Sequence, residues 1–356
     1  MKKFLRVILT TSSLILLVSY LLTFVRPDKF PFLNISSVIL PYLAIIAFFL
    51  SLFYIFDSTK WKWLALASCL FSLMIIFNYY RIQTTKSKPS RAALKILSYN
   101  VSFFSVPTVF KDPYYQPELN QHVFQIRDKI DSLKPDIITL QEFFNDKQSD
   151  SYNTIKRYQE NGYHYYLKSS PRHHNGTDRG IVTFSKFPIV NAGIICNSTN
   201  TYNGAIFTDI KMSETDTIKV INVHLTSMAF YAGKRDLLQL SKFFYHSYSE
   251  ASKERGNQLE AIEDAIEASP YPVILAGDFN ETPTSFIYRA INEKLMNSFE
   301  TNGSGFGFTF HSKIQALAFR IDHLFYSDDF DCNSFHTLLK WDLSEHKPIE
   351  AIFSLK

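Results

Sequence analysis

Cysteine is scarce in this chain of 356 residues: Cys69, Cys196 and Cys332 stand far apart, with no spacing suited to a metal. An odd count this low speaks against a disulfide framework and leaves the redox compartment open. The sequence also lacks a GxSxG elbow, a P-loop, an HExxH helix and any Cys/His zinc spacing. Serine-hydrolase, P-loop nucleotidase and zinc-peptidase chemistry therefore find no support. Neither internal repeats nor low-complexity segments are evident.

Charge is missing from three apolar runs near the N-terminus: Val7–Val25, Phe30–Phe56 and Trp63–Tyr80. Each holds the roughly 18 or more residues that a helix needs to cross about 30 Å of hydrocarbon. Lys2, Lys3 and Arg6 precede the first run, as in a secretory signal. That run is nevertheless long, has no small-x-small cleavage site and is followed by two more. The expectation is a multi-pass cell-membrane protein with three transmembrane helices in residues 1–80, a basic linker in 81–93 and a soluble domain in 94–356. Tyr54, Trp61, Trp63, Tyr79 and Tyr80 fall where interfacial aromatics belong. A transporter or channel would need ionisable residues within these runs, and there are none. The basic N-terminus favours a cytoplasmic start, and three crossings then put the soluble domain outside. More Lys and Arg flank the opposite side, against that orientation.

Residues 1–80 contain seven Lys/Arg and two Asp/Glu, residues 81–95 add five basic and no acidic side chains, and 96–356 hold 25 basic against 31 acidic. The whole-chain charge of +4 thus belongs to the membrane end. A soluble domain of net negative charge lends no support to gripping long nucleic acid, which calls for a basic face. The positive linker suits anionic headgroups, which makes the lipid bilayer an expected partner. No obligate protein partner is evident.

From Leu94 the texture becomes that of an α/β domain. Strand-like runs are "LKILSYNV", "DIITLQEF", "GIVTFSKF", "GAIFTDIKM", "TIKVINVHL", "YPVILAGDF", "FRIDHLFYS" and "IEAIFSL". Apolar residues at helical spacing predict a helix over Glu118–Leu133, and a second helical region over Lys234–Ala268 with a break at Gly256. Several strands end on polar groups: Asn100 after "ILSY", Glu142 after "IITLQ", His224 after "VINV", Asp278 and Asn280 in "GDFN", and Asp322 in "RIDH". Glu345 and His346 precede the last strand. Singly, each also fits a turn or a cap. Together they suit one rim, where loops on a rigid scaffold carry function.

This inventory suits metal-assisted phosphoester hydrolysis. A hard cation such as Mg²⁺ takes a few oxygen ligands and keeps several waters, and Glu142 with Asn100 or Asp322 offers such oxygens. A His–carboxylate pair, His346 with Glu345 or another acid, could orient a base toward water. His224 and Asn280 could donate to phosphate oxygens as charge develops.

The ordered motifs "YNV", "LQE", "VHL", "GDFN", "RIDH" and "SEHKP" resemble the endonuclease/exonuclease/phosphatase superfamily over about Leu94–Lys356. The helix-rich region before "GDFN" is similar to its membrane-anchored bacterial branch. The resemblance implies a four-layer α/β/β/α sandwich with an active site at one edge of the packed sheets. It implies Glu142 as principal metal ligand, supported by Asn100 and Asp322, with Mg²⁺ or Mn²⁺ as cofactor. Asp278 would position or activate water, Asn280 and His224 would hold the phosphate, and His346 would serve as base or transition-state stabiliser. The implied substrate is a phosphoester: lipid-linked, small-molecule or nucleic acid. The sequence departs from the family where Ser-Asp-His becomes Ser344-Glu345-His346, which leaves a catalytically degenerate phospho-ligand or partner-binding module as the alternative. It also carries Arg179 where relatives have a small residue. Arg179 reads as a surface charge or a phosphate contact, and His173 and His174 as loop residues or ligands.

Overall fold

Alternating apolar runs of strand length from Leu94 onward pair into two six-stranded sheets. A computed structural model describes the chain apart from Met1 and residues 57–58, 83–92, 106–121, 171–175, 199–201, 229–236 and 312–317. Most of the expected linker, the start of the helix read from Glu118, Lys234 and the His173–His174 pair lie outside the described residues. The chain forms two compact units. The first gathers residues 1–82, 228–256 and 281–290, and the second 83–227, 257–280 and 291–356.

In the first unit the apolar runs form helices α1 (Lys2–Leu22), α2 (Ile35–Leu52) and α3 (Trp61–Tyr79). Among the described residues two helices, Pro31–Leu52 and Trp61–Tyr79, are long and apolar enough to cross a membrane, and the first run forms a shorter apolar helix. The first run falls short because the N–H groups of Thr23, Phe24 and Val25 bond three residues back instead of four. Pro27 then prevents continuation, and the apolar stretch closes as Arg6–Leu22. Of the two longer windows only 33% and 28% is buried. Ile46, Phe49, Leu70 and Phe77 face outward. A core helix of a soluble protein would bury such residues.

The same unit holds the chain just beyond "GDFN". Glu281 is buried and accepts from Arg255 Nε at 2.7 Å and Asn34 Nδ2 at 2.8 Å. The Ser37 carbonyl accepts from Thr282 Oγ1 at 3.0 Å, and the Tyr79 hydroxyl lies 2.6 Å from Thr284 Oγ1. Helix α6 (Leu237–Glu267) runs on through Gly256, where a break was expected. A Cβ at Gly256 would come within 2.8 Å of the Asp28 backbone nitrogen, so the glycine admits a close approach and does not end the helix.

In the second unit the first sheet consists of β1 (Leu94–Asn100), β2 (Ile137–Asp146), β3 (His164–Ser169), β4 (Thr177–Ser185), β13 (Phe330–Thr337) and β14 (Ile349–Leu355), in the order β13-β14-β1-β2-β4-β3. The second consists of β5 (Ile189–Asn197), β6 (Gly204–Lys211), β7 (Thr217–His224), β8 (Val273–Asp278), β9 (Met296–Asn297) and β12 (Asp322–Tyr326), in the order β5-β6-β7-β8-β12-β9. Between the strands run α4 (His122–Leu133), α5 (Thr154–Glu160) and α8 (Ser298–Asn302), with a small ladder of β10 (Phe310–His311) and β11 (Ala318–Phe319), while α7 (Phe286–Lys294) begins in the first unit and ends in the second. Ile96, Ile137 and Ala351 of the first sheet pack with Val220, Ile274 and Leu324 of the second in one core. Val123, Ile126 and Ile130 of α4 and Ile155 and Tyr158 of α5 cover the other face of the first sheet. Each fully buried aliphatic or aromatic side chain contributes roughly 1.5–3 kcal/mol. This burial locks register, because slipping a strand by one residue would turn its apolar face outward.

Candidate active site

Register brings the polar strand ends together. His224 ends β7 directly beside Asp278 in the parallel β7–β8 pair, and Asp322 opens β12 directly opposite Asp278. Gly277 makes the approach of β8 to β7 possible: its φ is +144°, and a Cβ there would sit 2.0 Å from the Val223 carbonyl oxygen. From the first sheet, Asn100 donates from Nδ2 to Asp278 Oδ2 at 3.0 Å, linking the two sheets. Glu142 stands in a bulge of β2 between Leu140 and Phe143, with φ +47°. A bulge inserts a residue and re-aims its side chain. Here it leaves Glu142 Oε1 3.4 Å from Asn100 Nδ2 and 3.7 Å from His224 Nε2.

The rest of the "GDFN" turn is fixed by short bonds. Asn280, at φ +51°, donates its N–H to Asp278 Oδ1 at 2.9 Å and its Nδ2 to the Leu225 carbonyl at 3.0 Å. Phe279 points the other way, buried edge-on against His323 and Phe325.

His346 is buried, with Nδ1 2.9 Å from Asp322 Oδ2 and Nε2 3.6 Å from Asp278 Oδ2. Asp322 is thus the acid that pairs with His346, and Glu345 is exposed. The sequence left the acid of this pair open between Glu345 and another, and the geometry puts Asp322 there. The chain turns at Ser344, whose hydroxyl donates to the Asn100 carbonyl at 2.8 Å, and His346 goes inward while Glu345 goes outward. The longer side chain at 345 therefore does not disturb the His–carboxylate pair.

Electrostatics follow from burial and crowding. Desolvation raises the Glu142 carboxyl above its usual range, and Asp278 and Glu345 push the same way against His346. Asp278 is raised too, chiefly by burial. His224 is pushed down to about 4 by burial, so it is neutral, and neither ring nitrogen has a hydrogen-bond partner among the described residues. Burial also works against charge on His346, but Asp322 and Asp278 outweigh it and raise the group to about 10.

This donor set fits a divalent cation. Asp278 and Asp322 offer carboxylate oxygens within 4.8 Å of each other and of a His346 ring nitrogen, and Glu142 adds its carboxylate beside them, held by Asn100 Nδ2. Carboxylates crowded with raised pKa values, next to an orphaned buried imidazole, are the features that a hard cation and its waters would relieve.

Arg179 is half-buried, with its guanidinium over the rings of Phe103 (5.7 Å) and Phe144 (5.4 Å). Sequence reasoning passed over two supporting groups: Ser344, and Thr309, whose hydroxyl accepts the N–H groups of Ile321 and Asp322 at 3.1 Å. Ser344 was visible within "SEHKP", whereas Thr309 lies in no strand-like run.

Two sheets whose ends gather carboxylates, histidines and amides at one rim define an α/β fold with a candidate hydrolytic site at that rim. The chain belongs to the Endonuclease/Exonuclease/phosphatase family, whose pattern matches residues 97–346. Among solved structures it is similar to the human Nocturnin catalytic domain with bound sulfate anion, at 19% identity and a TM-score of 0.52, covering 76% of this chain and 97% of that one. It is also similar to a family protein from Leptotrichia buccalis (15% identity, TM-score 0.52, covering 74% and 100%). A third likeness is to a member from Beutenbergia cavernae (18%, 0.51, 74% and 72%). At these identities the likeness is one of fold. No curated protein matches the chain by sequence.

Proposed function

We propose that the protein is a membrane-tethered, divalent-metal-dependent hydrolase that cleaves a phosphoester by attack of water, working with Mg²⁺ or Mn²⁺. The observation that carries this reading is the convergence of Glu142, Asn100, Asp278, Asp322, His224 and His346 from both sheets on one buried rim. Glu142 would hold the cation, with Asn100 and Asp322 beside it. The cation, when bound, polarises a phosphoryl oxygen and stabilises charge on the leaving oxygen. Asp278 positions the attacking water and takes its proton, which its raised basicity favours. Neutral His224 donates to a phosphoryl oxygen. Asn280 does likewise with the N–H that its bond to Leu225 leaves over. His346, protonated and oriented by Asp322, donates to the oxygen on which charge develops.

The outward apolar faces of α2 and α3 support a bilayer tether, and α1, at the short end of spanning length, makes the third crossing. A start at Lys2, Lys3 and Arg6 on the cytoplasmic side puts the catalytic residues outside. The expected four-layer α/β/β/α order belongs to the same reading. A phosphoester of the lipid-linked or small soluble kind suits the negative second unit better than long nucleic acid. The degenerate-module alternative rested on Glu345, and the Asp322–His346 pair leaves it without a motive.

The test uses the full chain in detergent with an activated phosphodiester and phosphomonoester, Mg²⁺ or Mn²⁺, then chelator, and Glu142→Ala. Turnover should require the cation and fall by about 10²-fold or more in the variant, the scale of losing one preorganised electrostatic group. Turnover indifferent to both chelator and substitution removes the metal mechanism.

A further inference from the structure

Lys168 lies on β3 at the edge of the first sheet, yet its side chain is buried, with 7% relative exposure. Its Nζ donates to the Asn203 carbonyl at 2.7 Å, and it forms no ion pair among the described residues. An ammonium has three donors and a full charge. Burying it on one neutral carbonyl is costly unless a partner arrives. Its neighbours show where that partner would sit. Gly204 is the strand partner of His224 across β6–β7. A Cβ on Gly204 would lie 3.1 Å from Lys168 Nζ. That Cβ would also lie 2.4 Å from the Cys196 carbonyl of β5, so the ammonium sits close to Gly204, the strand neighbour of His224. Burial pushes the Lys168 ammonium below the usual lysine range, and Cys196 works against that fall.

A hydrogen-bonded path continues to the "GDFN" turn. Asn203, whose carbonyl Lys168 holds, donates from Nδ2 to the Leu225 carbonyl at 3.0 Å, the oxygen that also accepts Asn280 Nδ2 at 3.0 Å. The groups already assigned near His224 are Glu142 and Asp278, both acidic. A site with acids on one side and an uncompensated buried cation on the other is complementary to a metal-bound phosphoryl group, metal toward the acids and oxygens toward the cation.

We propose that Lys168 is a further phosphate-facing residue of this site, a buried cation whose missing counter-charge is the substrate's phosphoryl oxygen beside His224. The inference rests on the phosphoesterase reading above and adds to it a residue on an edge strand that none of the strand-end motifs contains.

The experiment measures binding of inorganic phosphate, with Mg²⁺ present, to the full-length chain in detergent by titration calorimetry. Wild type is compared with Lys168→Met and Lys168→Gln, alongside thermal unfolding and turnover of an activated phosphodiester. Met keeps the length without charge, and Gln keeps a donor for Asn203. Both variants should bind phosphate about tenfold more weakly or worse, the scale of a charge-assisted hydrogen bond. Melting temperatures should be equal to or above wild type, because an uncompensated buried charge is removed. Phosphate affinity within twofold of wild type in both variants overturns the assignment. So does retention in Gln with loss only in Met, since the ammonium then merely props up Asn203. Lowered melting temperature with unchanged affinity likewise makes Lys168 structural. A wild-type protein that neither turns over the diester nor binds phosphate overturns the phosphoesterase reading itself, a result distinct from the others.

Discussion

Glu142 and Asn280 both hold positive φ without being glycine, at +47° and +51°. Such backbone costs of order 1–3 kcal/mol per residue and persists where surrounding contacts over-determine it. For Asn280 those contacts are its bonds to Asp278 and Leu225; for Glu142 they are the ladder on either side of the bulge. Gly277 is the third special position, and Gly277→Ala should destabilise the protein by about 3 kcal/mol or more, since both its φ and the Val223 carbonyl oppose a Cβ. An unchanged melting temperature in that variant would contradict the β7–β8 register. His346 gives a pH signature. In chelator, the folded protein keeps this proton up to about pH 10, while the unfolded chain loses it near the ordinary value of 6.5. Between those values the folded state binds more protons, so this contribution is complete below pH 6.5 and is lost as pH rises toward 10. The melting temperature of metal-free protein should therefore decline from pH 7 to 10, and the decline should flatten in His346→Gln. A wild-type melting temperature level across that window would count against the Asp322–His346 pair.

Among the elements, the strands that were legible in the sequence are those with buried, apolar runs, such as β1, β2, β7 and β8, and their polar ends revealed the site. The long strands that escaped notice are β3, β5 and β13, which are three of the four edges of the two sheets. An edge strand faces solvent along one side and tolerates polar residues there, so "HYYLKS" and "IVNAGIICN" carry no continuous apolar signal. Lys168 was hidden for that reason. The Asp322–His346 pair was hidden for another: a motif shows which residues are near in sequence, and only the antiparallel β8–β12 pairing shows which acid is near in space. The segment after β8 was equally illegible, since "ETPTS" reads as a polar loop yet is buried through Ser285. Glu281 and Arg255 form a buried pair at 2.7 Å. Glu281→Ala would take from buried Arg255 this carboxylate and should cost about 3–5 kcal/mol, as one-sided loss of a buried pair does. Glu281→Gln, which keeps an acceptor, should cost less. Equal unfolding temperatures for the two variants would show that the charge is immaterial there.

At the scale of the whole molecule, the compact units do not follow a single cut in the sequence. Residues 228–256 and 281–290 belong with 1–82, and within that unit the bonds are specific. Asn34 holds Glu281, the Ser37 carbonyl takes Thr282, Tyr79 meets Thr284, and Arg289 donates to the Thr23 carbonyl. A tether that only moored a soluble enzyme would need none of these. Removing residues 1–93 would leave Glu281, Thr282 and Thr284 without bonds they make in the buried interior, each loss of order 1–3 kcal/mol. Total stability is about 5–15 kcal/mol for an ordinary domain, so a few such losses are decisive. The fragment 94–356 is therefore expected to be recovered poorly, or to unfold at least about 10 °C below the full chain in the same detergent. The comparison to make is thermal unfolding of both chains by intrinsic fluorescence at matched protein and detergent. Equal, cooperative transitions would mean that the N-terminal helices add nothing to the stability of the rest of the chain. A lower transition in the fragment, reproduced in part by Asn34→Ala in the full chain, would make them structural members of the enzyme.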